Sequence, residues 1–542
     1  MSPRLAFSAL IVVALIGVAS WPLPAVMTRE AFGLPGMEAV DHLWALWAAT
    51  RDGPVVIDTD LLNYPAGYRW VLVDPLNLVW FALGDVIGGP ALGWNLIAFG
   101  NLAIAGLAAG LWAKALAPDR LDAPLAAAAL AVCLSPMAGS LFTGMSEVLT
   151  MGWAALALLA LRRAGRSGGG RDTALGGLLC GLTAWCGPYT AVYAVFAAIP
   201  VSVAILWRRR AAAIGPLLGI GFIAAIVAAP VGWAIIVERP AGLPGSTSDL
   251  PMILGDPGAA KNLMLGAEPL ALFWPVPGVE PKHSVFLGLT LWGAGLFGAI
   301  RRRQFDLLAS VGLLCVLGLG FFVQQGGGLV TAGDGRALGL PALWLSMAIE
   351  PLGRAVRWHR AVILAGVLLA GLAGVGLADL AARARRPWVA LLVLVGIGCA
   401  EGLWFSPLDW PRRTFSVAPP AGYQQLSAGP ILQLPLTRFS SGDPDRLRSP
   451  SLLWQTSHGQ PLGGNPRQPG PMFRDANVSD LAQGLFEGNR QAAAKLAELG
   501  FVWAVVQHEH DVLRANAALG APDVIAEGVW AWRLSPTLRP RP

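Results

Sequence analysis

The chain has 542 residues, of which 55% are hydrophobic and 13% are charged, and its mean hydropathy is +0.57. This balance excludes a string of soluble domains and a disordered chain, and it indicates a multi-pass membrane protein. The net charge of +6 comes from arginines that cluster in short loops beside apolar runs, so we interpret it as a topology signal and expect no nucleic-acid partner.

Eleven apolar stretches are candidate membrane-spanning helices. Two further stretches, 70–88 and 338–352, are ambiguous because the first carries polar residues and the second is short, and we predict that both are re-entrant or interfacial. The predicted fold is therefore mainly α, a polytopic membrane helical bundle of about eleven spans. The candidate spans cover residues 5–27, 92–113, 122–139, 146–162, 174–187, 189–207, 212–237, 284–300, 306–323, 361–381 and 387–406.

Charge distribution predicts the orientation, since short loops rich in arginine stay on the cytoplasmic side. If neither ambiguous stretch spans, the N-terminus and every arginine-rich loop fall on that side; these loops are 114–120, 162–171, 208–210, 301–303 and 383–386. We therefore predict a bacterial inner-membrane protein with a cytoplasmic N-terminus. Residues 28–91, 238–283, 324–360 and the tail from 407 are then extra-cytoplasmic, and the functional site is expected on that face.

A reporter fusion tests this orientation. Eleven spans from a cytoplasmic N-terminus end outside, so a phosphatase fused after Pro542 should be active. Activity of a cytoplasmic reporter at the same position would mean that one ambiguous stretch spans the membrane.

From about residue 407 the composition becomes rich in proline, glycine and polar residues, so we divide the chain into a membrane domain, 1–406, and an extra-cytoplasmic soluble domain, 407–542. Residues 431–436, 502–506 and 528–533 read as strands and 479–499 as an amphipathic helix, which predicts a small α/β domain. His508, His510 and Asp511 lie at a strand end, and we interpret them as polar surface residues rather than metal ligands. The five cysteines lie in apolar runs and are interpreted as small core residues.

Two acids stand in the loop after the first apolar stretch. Glu38 and Asp41 are three residues apart and share a helical face that Trp44 and Trp47 continue. A carboxylate beside a lipid surface is a candidate base, and the alternative is that both acids only cap or solvate a juxtamembrane helix.

The order of several segments resembles that of bacterial membrane glycosyltransferases of the class C fold. The resemblance rests on the acids, His42 and tryptophans after helix one, on the 59–67 string TDLLNYPAG, on the 74–77 string DPLN, and on Arg354, Arg357 and Arg360 ahead of the apolar run from 364. It covers residues 1–406, and the tail is similar to the extra-cytoplasmic domain of related members. Such enzymes use a polyprenyl-phosphate-linked sugar as donor.

The resemblance implies a site with a base and fixed cations, because the polyprenyl phosphate departs as an anion. Asp41 matches the first-loop acid and is the candidate base, with Glu38 as helper or substitute. Arg354 and Arg357 are the candidate phosphate ligands, with pairing to lipid head groups as the alternative. Glu147 is a further candidate from its position, because an ionisable residue at the outer end of a spanning helix is costly unless it faces a cavity or a partner; the alternative is an N-terminal helix acid favoured by the helix dipole. Asp60, Tyr64 and His283 complete the predicted substrate- and phosphate-binding set.

The predicted function is transfer of a sugar from a polyprenyl-phosphate-linked donor to an extra-cytoplasmic glycan, lipid or protein acceptor. The expected partners are this donor, the acceptor and membrane lipids. A divalent cation stays an open alternative as cofactor. The rival hypothesis is a non-catalytic transporter or assembly scaffold for lipid-linked glycans.

Overall fold

The computed structural model describes residues 3–34, 37–237, 267–276, 283–325, 328–331, 337–349, 352, 357–405, 410–434, 450–464 and 476–535. The part of the chain that the structure describes is mainly helical, with 68% of those residues in helices, which confirms the predicted fold class at that level. In chain order the α-helices are α1 (Pro3–Ala19), α2 (Leu23–Val26), α3 (Ala39–Asp52), α4 (Leu78–Leu116), α5 (Asp122–Val132), α6 (Ser135–Phe142), α7 (Ser146–Leu149), α8 (Met151–Ser167), α9 (Gly170–Cys186), α10 (Pro188–Arg209), α11 (Ile214–Val237), α12 (Leu289–Arg301), α13 (Phe305–Gly318), α14 (Pro341–Ala348), α15 (Ala361–Ala381), α16 (Pro387–Trp404), α17 (Ala421–Gln424), α18 (Pro450–His458), α19 (Ala476–Phe486), α20 (Arg490–Glu498) and α21 (Glu509–Leu519). The strands are β1 (Glu30–Phe32), β2 (Val56–Thr59), β3 (Tyr68–Val71), β4 (Gln324–Gln325), β5 (Gly328–Leu329), β6 (Thr414–Ser416), β7 (Ile431–Leu434), β8 (Trp503–Val506), β9 (Val524–Ala526) and β10 (Val529–Arg533).

The chain divides into two compact units. Unit 1 comprises Met1–Met27, Val73–Trp80 and Trp94–Thr414, and unit 2 comprises Thr28–Leu72, Phe81–Gly93 and Phe415–Pro542. The unit that holds the C-terminal residues thus also contains residues of the first loop, which a division at 407 assigns to the membrane domain.

Helix α15 lies at the centre of unit 1. Apart from Asp379 in its last turn it is apolar on every face, and it is almost entirely buried, which is the pattern of a helix surrounded by protein. It packs against α5, α12 and α13. Gly374 permits the close approach of α5, since a Cβ there would lie 2.6 Å from the carbonyl oxygen of Ala123.

Helices α8 to α11 alternate in direction. A Cβ at Gly165 would touch Ile205, and the hydroxyls of Thr150 and Thr190 are 3.2 Å apart, so α8 and α10 run parallel. Helices α9 and α11 also run parallel. The glycines of α9, taken from its N-terminus to its C-terminus, contact residues of α11 that follow one another in the same direction. Helix α9 runs antiparallel to α8, because Gly176 lies against the carbonyl of Ala160 and Cys180 against that of Ala157. The chain therefore reverses between α10 and α11, where Arg210 has a φ of 50°.

The arginine-rich loops lie at one end of unit 1. Ion pairs and hydrogen bonds link these loops to one another and to the ends of neighbouring helices. These contacts join Arg163 to Asp172 (3.0 Å), Arg209 to the carbonyl of Gly165 (3.0 Å), Arg162 to Asp306 (3.2 Å), Arg302 to Asp379 (2.9 Å) and Arg120 to Asp379 (3.9 Å). Their location at a common end is the arrangement that the positive-inside rule predicts for loops on one side of a membrane.

Helix α4 folds back on itself. Its backbone leaves the helical region at Gly88 and Gly89, where φ reaches 82°, and Pro90 follows. The arms before and after this break run antiparallel: Trp80 lies against Gly100, and the amide of Asn101 donates to Asn77 at 2.7 Å. The first arm has ten residues, about 15 Å of helix, which is too short to cross a core of about 30 Å.

The chain is a multi-pass membrane protein. Among the described residues, five helical segments are long and apolar enough to cross a membrane, or six if the bent pair α5 and α6 forms one span. Two of the five contain a chain reversal, at Gly88–Gly89 and at Arg210, so they comprise more than one helix each. Helix α14, in the second ambiguous stretch, has eight residues, about 12 Å, and is also too short to span. The count of eleven spans remains a prediction.

Unit 2 contains a four-stranded sheet in the order β7-β8-β10-β9. Strand β7 pairs parallel with β8, and β10 pairs antiparallel with both β8 and β9. The three strands predicted in the tail are thus present as β7, β8 and β10. Helices α19, α20 and α21 cover a core that includes Leu432, Leu496, Phe501 and Trp532.

The prediction of one helix over 479–499 is wrong. The segment forms two helices, α19 and α20, and the chain turns between them at Gly488, whose φ of 96° favours glycine. Asn489 then caps α20, because its side chain accepts a hydrogen bond from the amide of Gln491 at 3.0 Å. Gly488 and Asn489 form a stop and start signal inside the amphipathic pattern.

His458 gives unit 2 a pH-dependent stability. Its ring stacks on Tyr423 and its Nδ1 accepts from the amide of Gln460 at 3.0 Å, and burial lowers the pKa of His458 to about 4. Between pH 6.5 and 4 the unfolded state therefore binds the extra proton, so stability is full above pH 6.5 and falls as the pH drops toward 4. After allowance for partial exposure we expect a loss of about 2 kcal/mol.

Thermal melts of the full-length protein between pH 7.5 and 4 measure this loss. His458→Gln should flatten the pH dependence, whereas His510→Gln, at a largely exposed histidine, should leave it unchanged. Equal pH dependence in wild type and His458→Gln would contradict the assignment.

Candidate functional site

Asp74 is the centre of a buried hydrogen-bonded group in unit 1. It is 1% exposed, and its carboxylate accepts from the side-chain amide of Asn77 at 2.8 Å and from the hydroxyl of Ser146. Asn77 also donates to the carbonyl of Ser146 and accepts from Asn101. The turn at Pro75–Asn77 begins directly after Asp74 and places these groups together at the start of α4.

Glu147 and Arg360 form a buried ion pair beside this group. Arg360 Nη1 donates to Glu147 Oε1 at 2.7 Å, and the two residues are 4% and 5% exposed, respectively. Glu147 lies in the first turn of α7, and Arg360 ends the 3-10 turn Trp358–Arg360 that leads into α15. The guanidinium also lies over the ring of Tyr189, at 5.0 Å from its centroid. Charge pairing and the aromatic face together hold a cation in a water-poor part of the bundle.

Two carboxylates and one guanidinium thus meet in a small volume. A carboxylate oxygen of Asp74 lies within 4.8 Å of one of Glu147. Like charges at this separation repel strongly in a low dielectric, so hydrogen bonds and the cation of Arg360 must stabilise them. This cluster of Asp74, Glu147 and Arg360 is the candidate anion-handling site, and its two acids could supply two of the oxygen ligands of a divalent cation.

His283 lies next to His359. Both imidazoles are buried, and their rings meet edge to face with centroids 4.8 Å apart. Because His359 immediately precedes Arg360, the structure brings His283, a residue of the predicted set, to the same turn as the ion pair.

Arg357 contributes its backbone to this region. Its carbonyl accepts from the hydroxyl of Tyr193 at 2.6 Å, and its side chain is partly exposed. Arg354 lies outside the described residues. The ion pair with Glu147 is made by Arg360, three residues after Arg357, and Arg360 is not among the phosphate ligands predicted from the sequence.

The first-loop acids lie in unit 2, at the start of α3. Glu38 occupies the N-cap position and is partly exposed, whereas Asp41 lies in the first turn and is 6% exposed. One turn further on, the indole nitrogen of Trp44 donates to Gln455 of α18. This contact holds α3 against α18, so Asp41 is on a helix that is well fixed within its unit.

Asp60 and Tyr64 lie in the turn between β2 and β3. Asp60 is exposed. One of its carboxylate oxygens lies 3.1 Å from the point that a Cβ atom would occupy if residue 67 were not glycine. The ring of Tyr64 packs edge to face on Phe501 with a centroid distance of 5.4 Å, and its amide donates to the carbonyl of Leu462. Tyr64 thus joins this turn to the core of unit 2.

Two residues of the cluster, Asp74 and Arg360, were missed in the predicted site set. Both stand in strings that carried the resemblance, so the signal for them was present. An acid followed directly by Pro75, and an arginine directly before a long apolar run, are the sequence features that distinguish them from their neighbours.

Comparison with solved structures identifies the fold. A variant of the arabinofuranosyltransferase AftD from Mycobacteria matches with a TM-score of 0.50 and 17% identity, over 94% of this chain and 37% of that one. The apo oligosaccharyltransferase from Archaeoglobus fulgidus matches with a TM-score of 0.42 and 14% identity, over 93% of this chain and 69% of that one. ArnT from Cupriavidus metallidurans, bound to undecaprenyl phosphate, matches with a TM-score of 0.37 and 13% identity, over 97% of each chain.

The fold is that of the class C membrane glycosyltransferases, as the sequence resemblance predicted. The chain spans about two-fifths of the length of AftD. No protein-family model and no curated protein sequence matches it.

Proposed function

We propose that the chain is an integral-membrane glycosyltransferase that moves a sugar from a polyprenyl-phosphate-linked donor to an extra-cytoplasmic acceptor, in a bacterial inner membrane. The observation that carries the proposal is the buried Arg360 held by Glu147 beside Asp74. A fixed guanidinium in a water-poor site is suited to a phosphate that gains charge as it leaves.

The reaction assigns a role to each group. An acceptor hydroxyl attacks the anomeric carbon of the donor sugar while the bond from that carbon to the phosphate oxygen breaks. The phosphate leaves with the electron pair, and Arg360, with Arg357 and Arg354 as further candidates, stabilises its charge. Asp41 takes the proton of the acceptor hydroxyl as general base, with Glu38 as its substitute.

Glu147 orients the guanidinium of Arg360. A carboxylate on one edge of a guanidinium fixes its plane, and Nη2 of Arg360 also donates to the sulfur of Met145 at 3.1 Å. Asp74 and its hydrogen-bonded neighbours keep this end of the bundle polar where the surrounding helices are apolar.

Binding of undecaprenyl phosphate to the purified full-length protein tests the phosphate site. Loss of a charged hydrogen-bond donor costs about 1.5 to 3 kcal/mol, so Arg360→Gln should raise the dissociation constant about 10- to 100-fold. Arg302→Gln is the matched control, because Arg302 is also ion-paired but lies at the arginine-rich end of unit 1.

The rival hypothesis makes the same prediction in this binding experiment and a different one in an assay of sugar transfer. A transporter or scaffold for lipid-linked glycans would still bind the lipid but would transfer no sugar. Equal binding by wild type and Arg360→Gln would remove Arg360 as the phosphate ligand.

A further inference from the structure

One face of α10 is aromatic. Tyr189, Tyr193 and Phe196 are spaced at i, i+4 and i+7, so they form one stripe along the helix. The rings of Tyr189 and Tyr193 stack with centroids 6.3 Å apart. An aromatic stripe of this kind ordinarily packs in a hydrophobic core. Here it packs against one short segment of the chain.

That segment is the 3-10 turn Trp358–Arg360. Trp358 lies against the rings of both Tyr193 and Phe196, with centroid distances of 6.1 and 5.7 Å. Arg360 lies over Tyr189. The stripe thus contacts the turn at its first and last residues.

The hydroxyl of Tyr193 donates a hydrogen bond to the same carbonyl oxygen that accepts the backbone hydrogen bond of the turn. The carbonyl of Arg357 accepts from this hydroxyl at 2.6 Å and also from the backbone amide of Arg360 at 3.2 Å. Tyr193 is fully buried, so its hydroxyl needs this acceptor. Movement of the Arg357 carbonyl would therefore move the backbone from which the Arg360 guanidinium projects.

We propose that Tyr193 is a positioning residue that acts through the Arg357 carbonyl to hold Arg360 in its lipid-phosphate-binding geometry. This inference rests on the proposed function for the identity of the ligand. It assigns to the hydroxyl a role in donor affinity that is separate from the packing of the ring.

Tyr193→Phe removes the hydroxyl and keeps the ring. Loss of one neutral hydrogen bond corresponds to about a 2- to 10-fold change in an equilibrium constant. The dissociation constant for undecaprenyl phosphate should rise by this factor, and in a transfer assay the donor KM should rise similarly while kcat stays within about twofold.

Two variants control for a general loss of packing or stability. Phe196→Leu removes a ring that packs on Trp358 and leaves the Tyr193 hydrogen bond in place, so it should lower thermal stability with a smaller effect on donor binding. Tyr423→Phe removes a buried tyrosine hydroxyl of unit 2 and should leave donor binding unchanged. Binding is measured on the monodisperse fraction of each variant, so a reduced yield does not affect the comparison.

The outcomes separate the inference from the proposed function. If wild type binds undecaprenyl phosphate and Tyr193→Phe binds it equally well, the positioning role is contradicted. The same follows if Phe196→Leu weakens binding as much as Tyr193→Phe does at equal stability. If wild type does not bind the lipid at all, the proposed function itself is contradicted.

Discussion

Replacement of Glu147 by alanine is expected to lower the free energy of unfolding by about 3 to 5 kcal/mol, because it leaves the guanidinium of Arg360 buried without its carboxylate. Glu147 and Arg360 are both almost fully buried, so water replaces little of the lost interaction. The measurement is the shift in the thermal or denaturant midpoint of the purified protein. Lipid binding should weaken together with stability in this variant.

The double variant Glu147→Leu with Arg360→Met separates stability from binding. It removes both charges and fills the space with apolar groups, a change that commonly restores stability to near that of the parent. We expect a protein that melts like wild type and does not bind undecaprenyl phosphate. A stability loss below about 1 kcal/mol for Glu147→Ala would be typical of an exposed pair and would contradict the buried ion pair.

Asp41→Asn is expected to lower the rate of sugar transfer by about 10²- to 10⁴-fold, which is the usual contribution of a general base. Asparagine keeps the shape of the side chain at this buried position in α3, so the fold should survive. Donor binding should change little, because the base acts on the acceptor. The measurement is the initial rate of transfer at saturating donor.

Glu38→Gln is the matched comparison for Asp41→Asn. Only one carboxylate can lie within about 3 Å of the acceptor hydroxyl, so the two variants should differ in rate. Glu38 is partly exposed at the N-cap and Asp41 is buried in the first turn, so we expect the larger loss at Asp41. Full activity of both variants would contradict the first-loop base.

Much of unit 1 could be predicted because the bilayer imposes simple rules on composition. The 361–381 stretch is apolar apart from Asp379 in its last turn, and it forms the buried helix α15. The arginine-rich loops share one end of the bundle, as the positive-inside rule predicts for short loops. The reversal inside α4 was harder to predict, since Gly88 and Gly89 mark a break but only the packing of Trp80 on Gly100 shows its direction.

The site was predicted less completely, for a geometric reason. Arg354, Arg357 and Arg360 are spaced as on one helical face, but the chain at 358–360 forms a 3-10 turn before α15 begins. The turn is stabilised by Tyr193, which is more than 160 residues away in sequence, and periodicity carries no information about such a contact. Asp74 was hidden similarly, because its partner Ser146 belongs to a distant segment.

Transfer of a radiolabelled sugar from a panel of polyprenyl-phosphate sugars, by the purified full-length protein in lipid, tests the central proposal most directly. We predict that at least one donor is consumed with release of polyprenyl phosphate, that Asp41→Asn lowers this rate by about 10²-fold or more, and that Arg302→Gln retains it. Release at equal rates by wild type and Asp41→Asn, or binding of the lipid with no transfer from any donor to membrane-derived acceptors, would contradict the glycosyltransferase assignment and favour a non-catalytic transporter or scaffold.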